Sequence, residues 1–330
     1  MNALLTIQDL VVEFRTRDSV VQAVNGISYS VDPGEIVAIV GESGSGKSVS
    51  ARAVLGLVQS PPGKIVSGSI EFEGVDLLGL DDRAIRELRG KDIAMVFQEP
   101  MTSLNPVLSI GKQLTESMRL HLDYSQQQAN TRAIELLIKV GISDPAERLI
   151  QYPHQLSGGM RQRIMIAMAL SCEPKLILAD EPTTALDVTI QAQVLALMKE
   201  LCTEMGVALV LITHNLGIVA RYAHRVNVMY AGKIVETADA ISLYRNPSHP
   251  YTVGLLNSVP RLDQVRGTLI EPIAGSPPDL ADLGPGCAFA PRCRFATDRC
   301  HRDAPGFSQI SDTHSSACWE IAALTQAGAA

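Results

Sequence analysis

Gly41-Glu42-Ser43-Gly44-Ser45-Gly46-Lys47-Ser48 follows the apolar run Ile36-Val37-Ala38-Ile39-Val40 and leads into Ser48 to Leu57, a stretch that reads as helix. The spacing is G-x-x-x-x-G-K-S in the order strand, loop, helix. Glycines let backbone N–H groups turn inward around a phosphate without Cβ clashes, and the helix N-terminus adds the positive end of a dipole. Lys47 is placed to neutralise the β- and γ-phosphates of a nucleotide, and Ser48 to ligate Mg²⁺; Gly41, Ser43, Gly44, Ser45 and Gly46 line the loop. A Gly/Ser-rich turn without function is set aside once the flanking strand and helix are counted.

Outward from this loop, the runs Ile93 to Phe97, Leu176 to Ala179 and Ala208 to Ile212 are also continuously apolar. Such strands suit a parallel sheet covered on both faces. Leu4 to Phe14 and Ile70 to Glu73 instead alternate apolar with polar residues, as in an antiparallel sheet with one wet face. Between Ser109 and Arg148 the pattern becomes helical, with Leu114, Met118, Ile134, Leu137 and Ile138 at helix-like spacings. After Val235 the chain is broken into short pieces by prolines, among them Pro247, Pro250, Pro260, Pro272, Pro285 and Pro291. The expected organisation is a first domain over 1–235, containing a helical subdomain at about 99–170, and a loop-rich module over 236–330.

The 330 residues are 46% hydrophobic, enough for one large core or two ordinary ones. No uninterrupted apolar run, Val207 to Ile212 and Ile164 to Leu170 included, approaches the roughly 20 residues that cross a bilayer. Met1 to Leu10 has no basic segment leading into an apolar one, so a cytosolic chain is expected. With 28 Lys+Arg against 35 Asp+Glu and a net charge of -7, a sequence-independent nucleic-acid clamp is disfavoured. Six cysteines in a reducing compartment read as thiols or metal ligands rather than disulfides.

Leu176 to Ala179 ends in Asp180-Glu181. Asp180 suits a second contact to Mg²⁺, and Glu181 is placed to polarise an attacking water. Between the loop and this pair lies Leu156-Ser157-Gly158-Gly159-Met160-Arg161-Gln162-Arg163. This segment resembles the signature motif of ATP-binding cassette (ABC) ATPases, in which a serine and two glycines at a helix N-terminus contact the γ-phosphate held by the other subunit. The resemblance covers about residues 4–235. It implies an α/β fold: a RecA-like parallel sheet core with an antiparallel β subdomain and a helical subdomain, here followed by a small loop-rich C-terminal module.

The same resemblance implies roles one residue at a time. Gln98 resembles the glutamine that touches Mg²⁺ and senses the membrane partner. Ala185-Leu186-Asp187 resembles the loop that reaches across a dimer interface, so Ser157, Gly158, Gly159 and Asp187 are expected at the ATP of a partner subunit. His214 resembles the switch histidine at the γ-phosphate. Phe14 is the residue chosen to stack on adenine, with Tyr29 second. Two positions depart from the commonest pattern: Met160 stands where many cassettes have Gln, and Asn215 where Asp is frequent. Neither removes a group that holds phosphate or metal.

Asn246-Pro247-Ser248-His249-Pro250-Tyr251-Thr252 and Glu99-Pro100-Met101-Thr102-Ser103-Leu104-Asn105-Pro106 are similar to segments of the oligopeptide and dipeptide importer ATPases, closest to the dipeptide D-type subunit. That group also serves nickel, glutathione and other small solutes. Membership implies an ATP- and Mg²⁺-dependent ATPase on the cytoplasmic face of a bacterial inner membrane. Its partners would be two transmembrane permease subunits, a second and often different ATPase subunit, and indirectly a solute-binding protein. The segment from Gln98 to about Arg148 is the expected permease dock. A soluble cassette acting without a permease is the alternative, although such proteins usually join two cassettes or insert a coiled coil.

Cys287, Cys293, Cys300 and Cys318 fall within 32 residues at spacings C-x5-C-x6-C-x17-C, with Arg292, Arg294, Arg299 and Arg302 near the first three. The spacing lacks the close C-x2-C pairs of common zinc modules. Some dipeptide-type importer ATPases hold a [4Fe–4S] cluster on four tail cysteines, and this arrangement resembles theirs; zinc and unligated thiols stay open beside it. Cys172 and Cys202 read as small buried apolar residues.

Overall fold

The computed structural model describes residues 3–184, 186–258 and 272–328. Ala185 and Pro260, named above, lie outside them. In chain order the strands are β1 (Leu5–Arg15), β2 (Val20–Val31), β3 (Ile36–Val40), β4 (Gly63–Phe72), β5 (Val75–Asp76), β6 (Ile93–Val96), β7 (Leu176–Asp180), β8 (Ala208–Thr213), β9 (Arg225–Tyr230), β10 (Lys233–Asp239), β11 (Ser308–Ser311) and β12 (His314–Ser316). Contacts between Cα atoms divide the chain into two compact units that do not follow chain order. One comprises Met1–Leu4, Val31–Ile36 and Leu77–Ile212; the other comprises Leu5–Ser30, Val37–Asp76 and Thr213–Ala330.

In the first unit β6, β7 and β8 are parallel neighbours, with Ile93 opposite Leu176 and Leu176 opposite Ala208. Every residue of β7 is buried, which explains its lack of alternation: both faces are covered. The helical stretch resolves into Ile110–His121, Gln126–Lys139 and Pro145–Ile150, which pack on one another. Ser109 caps the first through its hydroxyl on the Lys112 N–H, and Ser125 forms a capping box with Gln128 on the second. Ile110, Leu114 and Met118 make the buried stripe of the first helix. Ile138, at a helix-like spacing in the sequence, lies on the outer face and is 60% exposed; Ala129, Ala133, Leu136 and Leu137 are buried instead.

The second unit holds an antiparallel sheet of order β2-β1-β4-β5. Its β1 strand alternates buried and exposed positions, apart from an irregularity between Gln8 and Val12 where the register to β4 shifts. In the same unit β3 runs parallel to β9, and β10 is antiparallel to β9 and to β12. Residue 235, the expected domain join, therefore falls inside β10, and the tail strands extend that sheet rather than standing apart from it. Tyr251 and Phe289 of the tail enter the same core as Val40, Val228 and Tyr230.

Candidate functional site

The phosphate loop lies in the second unit. It links β3 to the helix Lys47–Val54, whose N-cap is Gly46 with φ 99°. A Cβ on Gly46 would stand 2.0 Å from the Ala23 carbonyl oxygen, and one on Gly41 would stand 2.1 Å from that of Met229. Only glycine fits at either place, so these two residues are required by backbone crowding as much as by a ligand. The Lys47 ammonium is 4% exposed and donates to the Gly41 and Glu42 carbonyl oxygens, both at 2.8 Å, and to Ser45 Oγ at 3.4 Å. Ser43 and Gly44 are exposed, so the rim of the loop is open to a ligand.

The carboxylate pair lies in the first unit. Asp180 ends β7 and is fully buried. Glu181 follows at φ 46°, a left-handed backbone that a side chain bearing Cβ rarely adopts, and its N–H donates to the Ile212 carbonyl at 2.9 Å. Conformations of this sort persist where surrounding contacts over-determine them, and they cluster at functional residues. The Glu181 Oε2 accepts from Gln98 Nε2 at 3.1 Å and from the Thr184 hydroxyl at 2.9 Å. The structure thus brings together Glu181 and Gln98, two residues singled out from sequence, and adds Thr184, which no motif indicated.

Ser157 caps the helix Gly158–Ala169, accepting from the Met160 N–H. Asp187 caps the helix Val188–Met205 by position, makes no side-chain cap bond, and is exposed. Ser157 and Gly158 are exposed as well, so the first unit presents small residues at this helix N-terminus to the outside. A Cβ added at Gly158 or Gly159 would meet only Leu186 Cδ2 at 3.7 Å or Ile190 Cγ2 at 3.5 Å, ordinary van der Waals contact.

A model of the "ABC transporter" family matches residues 24–184, and one described as "Oligopeptide/dipeptide transporter, C-terminal region" matches residues 235–300. A putative peptide import ATP-binding protein of Brucella abortus is 52% identical over 333 residues, spanning 97% of this chain and 98% of the relative. The chain belongs to the ABC transporter ATP-binding proteins of the oligopeptide/dipeptide transporter group. The dipeptide transport ATP-binding protein of Bacillus subtilis is 51% identical over 319 residues, 97% of this chain and 95% of the relative. Among solved structures, a dimeric post-hydrolysis ATP-binding cassette bound to ADP and phosphate superposes with TM-score 0.65 at 26% identity, covering 72% of this chain and 98% of that one. The α/β cassette fold expected from the sequence is therefore the fold of this protein.

The remaining expected residues of the cassette fall as follows. His214 is exposed just after β8, and the Asn215 N–H donates to Thr213 Oγ1 at 3.1 Å. Phe14 is half-buried on β1 opposite Gly63. Tyr29 is buried, with its hydroxyl held protonated by desolvation, so its ring has no face to offer a base.

The tail motif contacts the phosphate loop, which its sequence did not indicate. Buried Glu236 of β10 accepts from the Ser248 N–H at 2.6 Å, the His249 N–H at 3.0 Å and His314 Nε2 at 2.8 Å. His249 Nδ1 accepts from the Tyr251 N–H, capping the helix Pro250–Asn257. Tyr251 Oη then accepts from the Glu42 N–H at 2.7 Å, and Arg292 grips the Glu42 carboxylate with both Nη atoms, at 2.7 and 3.0 Å.

The four tail cysteines sit around the short turn Ala290–Arg292 and the helix Asp298–Arg302. Cys287 donates its N–H to the Cys300 carbonyl at 2.7 Å, and backbone N–H groups of Phe295 and Glu320 point at the sulfurs of Cys293 and Cys318. Burial pushes the Cys287, Cys293 and Cys318 thiols up, the last to about 12, and the neighbouring cysteines add to each rise. Among the described residues no three His, Cys, Asp or Glu side chains are gathered so that they could hold a metal ion. The residues present thus form no metal-holding donor set among the described residues, for an iron–sulfur cluster as for zinc. Cys172 and Cys202 are buried and apolar in setting, and burial pushes Cys202 up to about 12.

Proposed function

We propose that this chain is the ATP-hydrolysing subunit that powers peptide import through a membrane permease. Its relatives are named as peptide and dipeptide transport ATP-binding proteins over nearly their whole length. The observation that carries the catalytic part is the strained Glu181, whose carboxylate is fixed by Gln98 and Thr184 at the end of β7. Residues 1–235 would handle ATP, and residues 236–330 would form the group-specific tail.

In this reading Lys47 and the loop from Gly41 to Ser48 hold the ATP phosphates, with Phe14 against the adenine. Ser48, Gln98 and Asp180 would hold Mg²⁺, which supplies positive charge against the phosphate oxygens. Glu181 accepts a proton from the attacking water, and His214 donates to the γ-phosphate region. Ser157, Gly158, Gly159 and Asp187 serve the ATP of a second cassette, so one chain alone hydrolyses poorly. The exposure of Ser157, Gly158 and Asp187 on the first unit supports that role. Closing on ATP and reopening after hydrolysis then shifts the permease between its states.

The permease dock is assigned to a groove of about 710 Å³ in the helical subdomain, lined by Lys112, Glu116, Arg119, Leu120 and Ile150 among others. Leu120 and Ile150 are 72% and 76% exposed, apolar side chains that a cytoplasmic helix of the permease would cover. Among the described residues no helix is long and apolar enough to cross a membrane. In this reading the chain sits peripherally on the cytoplasmic face of the inner membrane, which its relatives' names as peptide and dipeptide transport ATP-binding proteins support. The [4Fe–4S] cluster that the sequence resemblance implies for Cys287, Cys293, Cys300 and Cys318 is tested by anaerobic purification. A brown protein containing iron and acid-labile sulfide would establish it; a colourless, iron-free protein, the outcome the described residues favour, would leave the four as plain thiols.

The deciding experiment co-expresses the chain with its permease subunits and second cassette in membrane vesicles. A solute-binding protein is then supplied loaded with dipeptide, longer peptide, nickel or glutathione. ATP-dependent uptake of peptide is expected; uptake confined to nickel or glutathione would replace the solute, and hydrolysis indifferent to every partner would favour a soluble cassette.

A further inference from the structure

We propose that Arg292 and Tyr251 of the C-terminal tail are positioning residues of the nucleotide site, acting as a clamp that holds Glu42 and so presets the phosphate loop for ATP. This rests on the assignment of residues 41–48 as the phosphate-binding loop. The clamp spans 250 residues of sequence yet meets at a single residue of the loop.

Glu42 is at the centre of the loop's internal bonding. Its carbonyl oxygen accepts from Lys47 Nζ at 2.8 Å and from the Ser45 N–H at 3.3 Å. Its N–H is fixed from behind by Tyr251 Oη, and its carboxylate by the two-pronged Arg292 guanidinium. The tail therefore ties down the Gly41–Glu42 peptide plane and the Glu42 side chain, and the carbonyl that receives the Lys47 ammonium belongs to the same residue.

Arg292 is itself fixed. Its side chain is 5% exposed, Nε donates to the Ala274 carbonyl at 2.8 Å, and Nη1 reaches Tyr230 Oη at 3.3 Å. The guanidinium lies over the rings of Tyr230 and Phe289, 5.9 and 5.8 Å from their centroids. Tyr251 packs on the same two rings, at 4.5 and 5.4 Å between centroids. A bidentate charge-assisted pair, its guanidinium buried and its carboxylate 27% exposed, is stronger and more directional than a fully exposed ion pair.

The loop needs this support because three of its eight residues are glycine, and glycine loses most conformational freedom on ordering. A loop ordered before the ligand arrives binds more tightly, since the ordering cost is not charged to binding. Without the clamp, that cost would appear as weaker ATP binding, with the bond-making step at Glu181 untouched.

The test is equilibrium titration of the full chain with Mg²⁺ and a non-hydrolysable ATP analogue, comparing wild type with Arg292→Lys, Tyr251→Phe, Glu42→Gln and the control Lys47→Ala. Thermal melting is recorded in parallel. Each clamp variant should weaken binding, Arg292→Lys by roughly tenfold because an ammonium cannot reproduce the fork. Combining Arg292→Lys with Glu42→Gln should be no worse than the worse single change, because both break one bond. Melting temperatures that fall while affinity stays within about twofold of wild type, with Lys47→Ala still abolishing binding, would show the contacts to be structural only and overturn the proposal. Unaltered binding by Lys47→Ala would overturn the phosphate-loop assignment itself.

Discussion

Lys47 and Glu181 carry the sharpest consequences of the account. The Lys47 ammonium already rests on three oxygens of the phosphate loop, so its charge is concentrated where phosphate would bind. Lys47→Ala should abolish or severely weaken nucleotide binding, which equilibrium titration measures directly. Glu181→Gln keeps the shape of the side chain while removing the base. Turnover in the assembled transporter should fall by about 100-fold or more with ATP still bound. Turnover near wild type would remove Glu181 from the role of base. Both residues were legible in the sequence because their motifs are local: a few consecutive residues after an apolar strand specify the turn and its chemistry. Thr184 was not, since a threonine three residues beyond a glutamate has no motif of its own. The Arg292–Glu42 pair was illegible for a different reason, because local patterning carries no information about contacts 250 residues apart.

At the level of elements, the apolar runs read correctly as buried parallel strands in β7 and β8, and the alternating segments as antiparallel β1 and β4. Helical periodicity located the helices, while Ile138, one of the periodic residues, lies on the outer face and the small residues Ala129 and Ala133 are buried. The proline-broken tail read as an appended piece, whereas β12 pairs with β10. Short strands of three or four residues give too little pattern to reveal such pairing.

Two tail elements make testable statements. Asp239 caps the helix Ala240–Arg245 by accepting from the Ser242 N–H and also accepts from the Thr313 hydroxyl. Asp239→Ala should cost about 1 kcal/mol, read from a denaturant midpoint. Burial holds the His249 imidazole neutral, its pKa lowered from 6.5 to about 3. Between those values the unfolded chain binds the proton and the folded chain does not. Stability is therefore fully present above about pH 6.5 and is lost as pH falls towards 3. His249→Asn, which keeps an acceptor for the Tyr251 N–H, should flatten that part of the pH–stability curve. An unchanged slope between pH 7 and 5 would show that His249 is not the group responsible.

For the molecule as a whole, the two units carry separate portions of the chemistry: the phosphate loop and His214 in one, Asp180, Glu181 and Gln98 in the other. The helical subdomain groove belongs to the Glu181 unit, so a permease seated there would touch the same compact body that holds the candidate base. Leu120→Asp combined with Ile150→Asp should abolish assembly with the permease while leaving ATP affinity unchanged. Co-purification and nucleotide titration read the two effects separately, and retained assembly would move the dock elsewhere. Solute identity was not legible here, since nothing in the chain contacts the solute in the proposed scheme.

The most direct measurement is the ATPase rate of the purified chain alone, set against its rate in membranes with permease subunits, second cassette and peptide-loaded binding protein. The account predicts a low rate alone, a higher one in the assembly, and a further rise with peptide. A full rate from the solitary chain, indifferent to every partner, would contradict it.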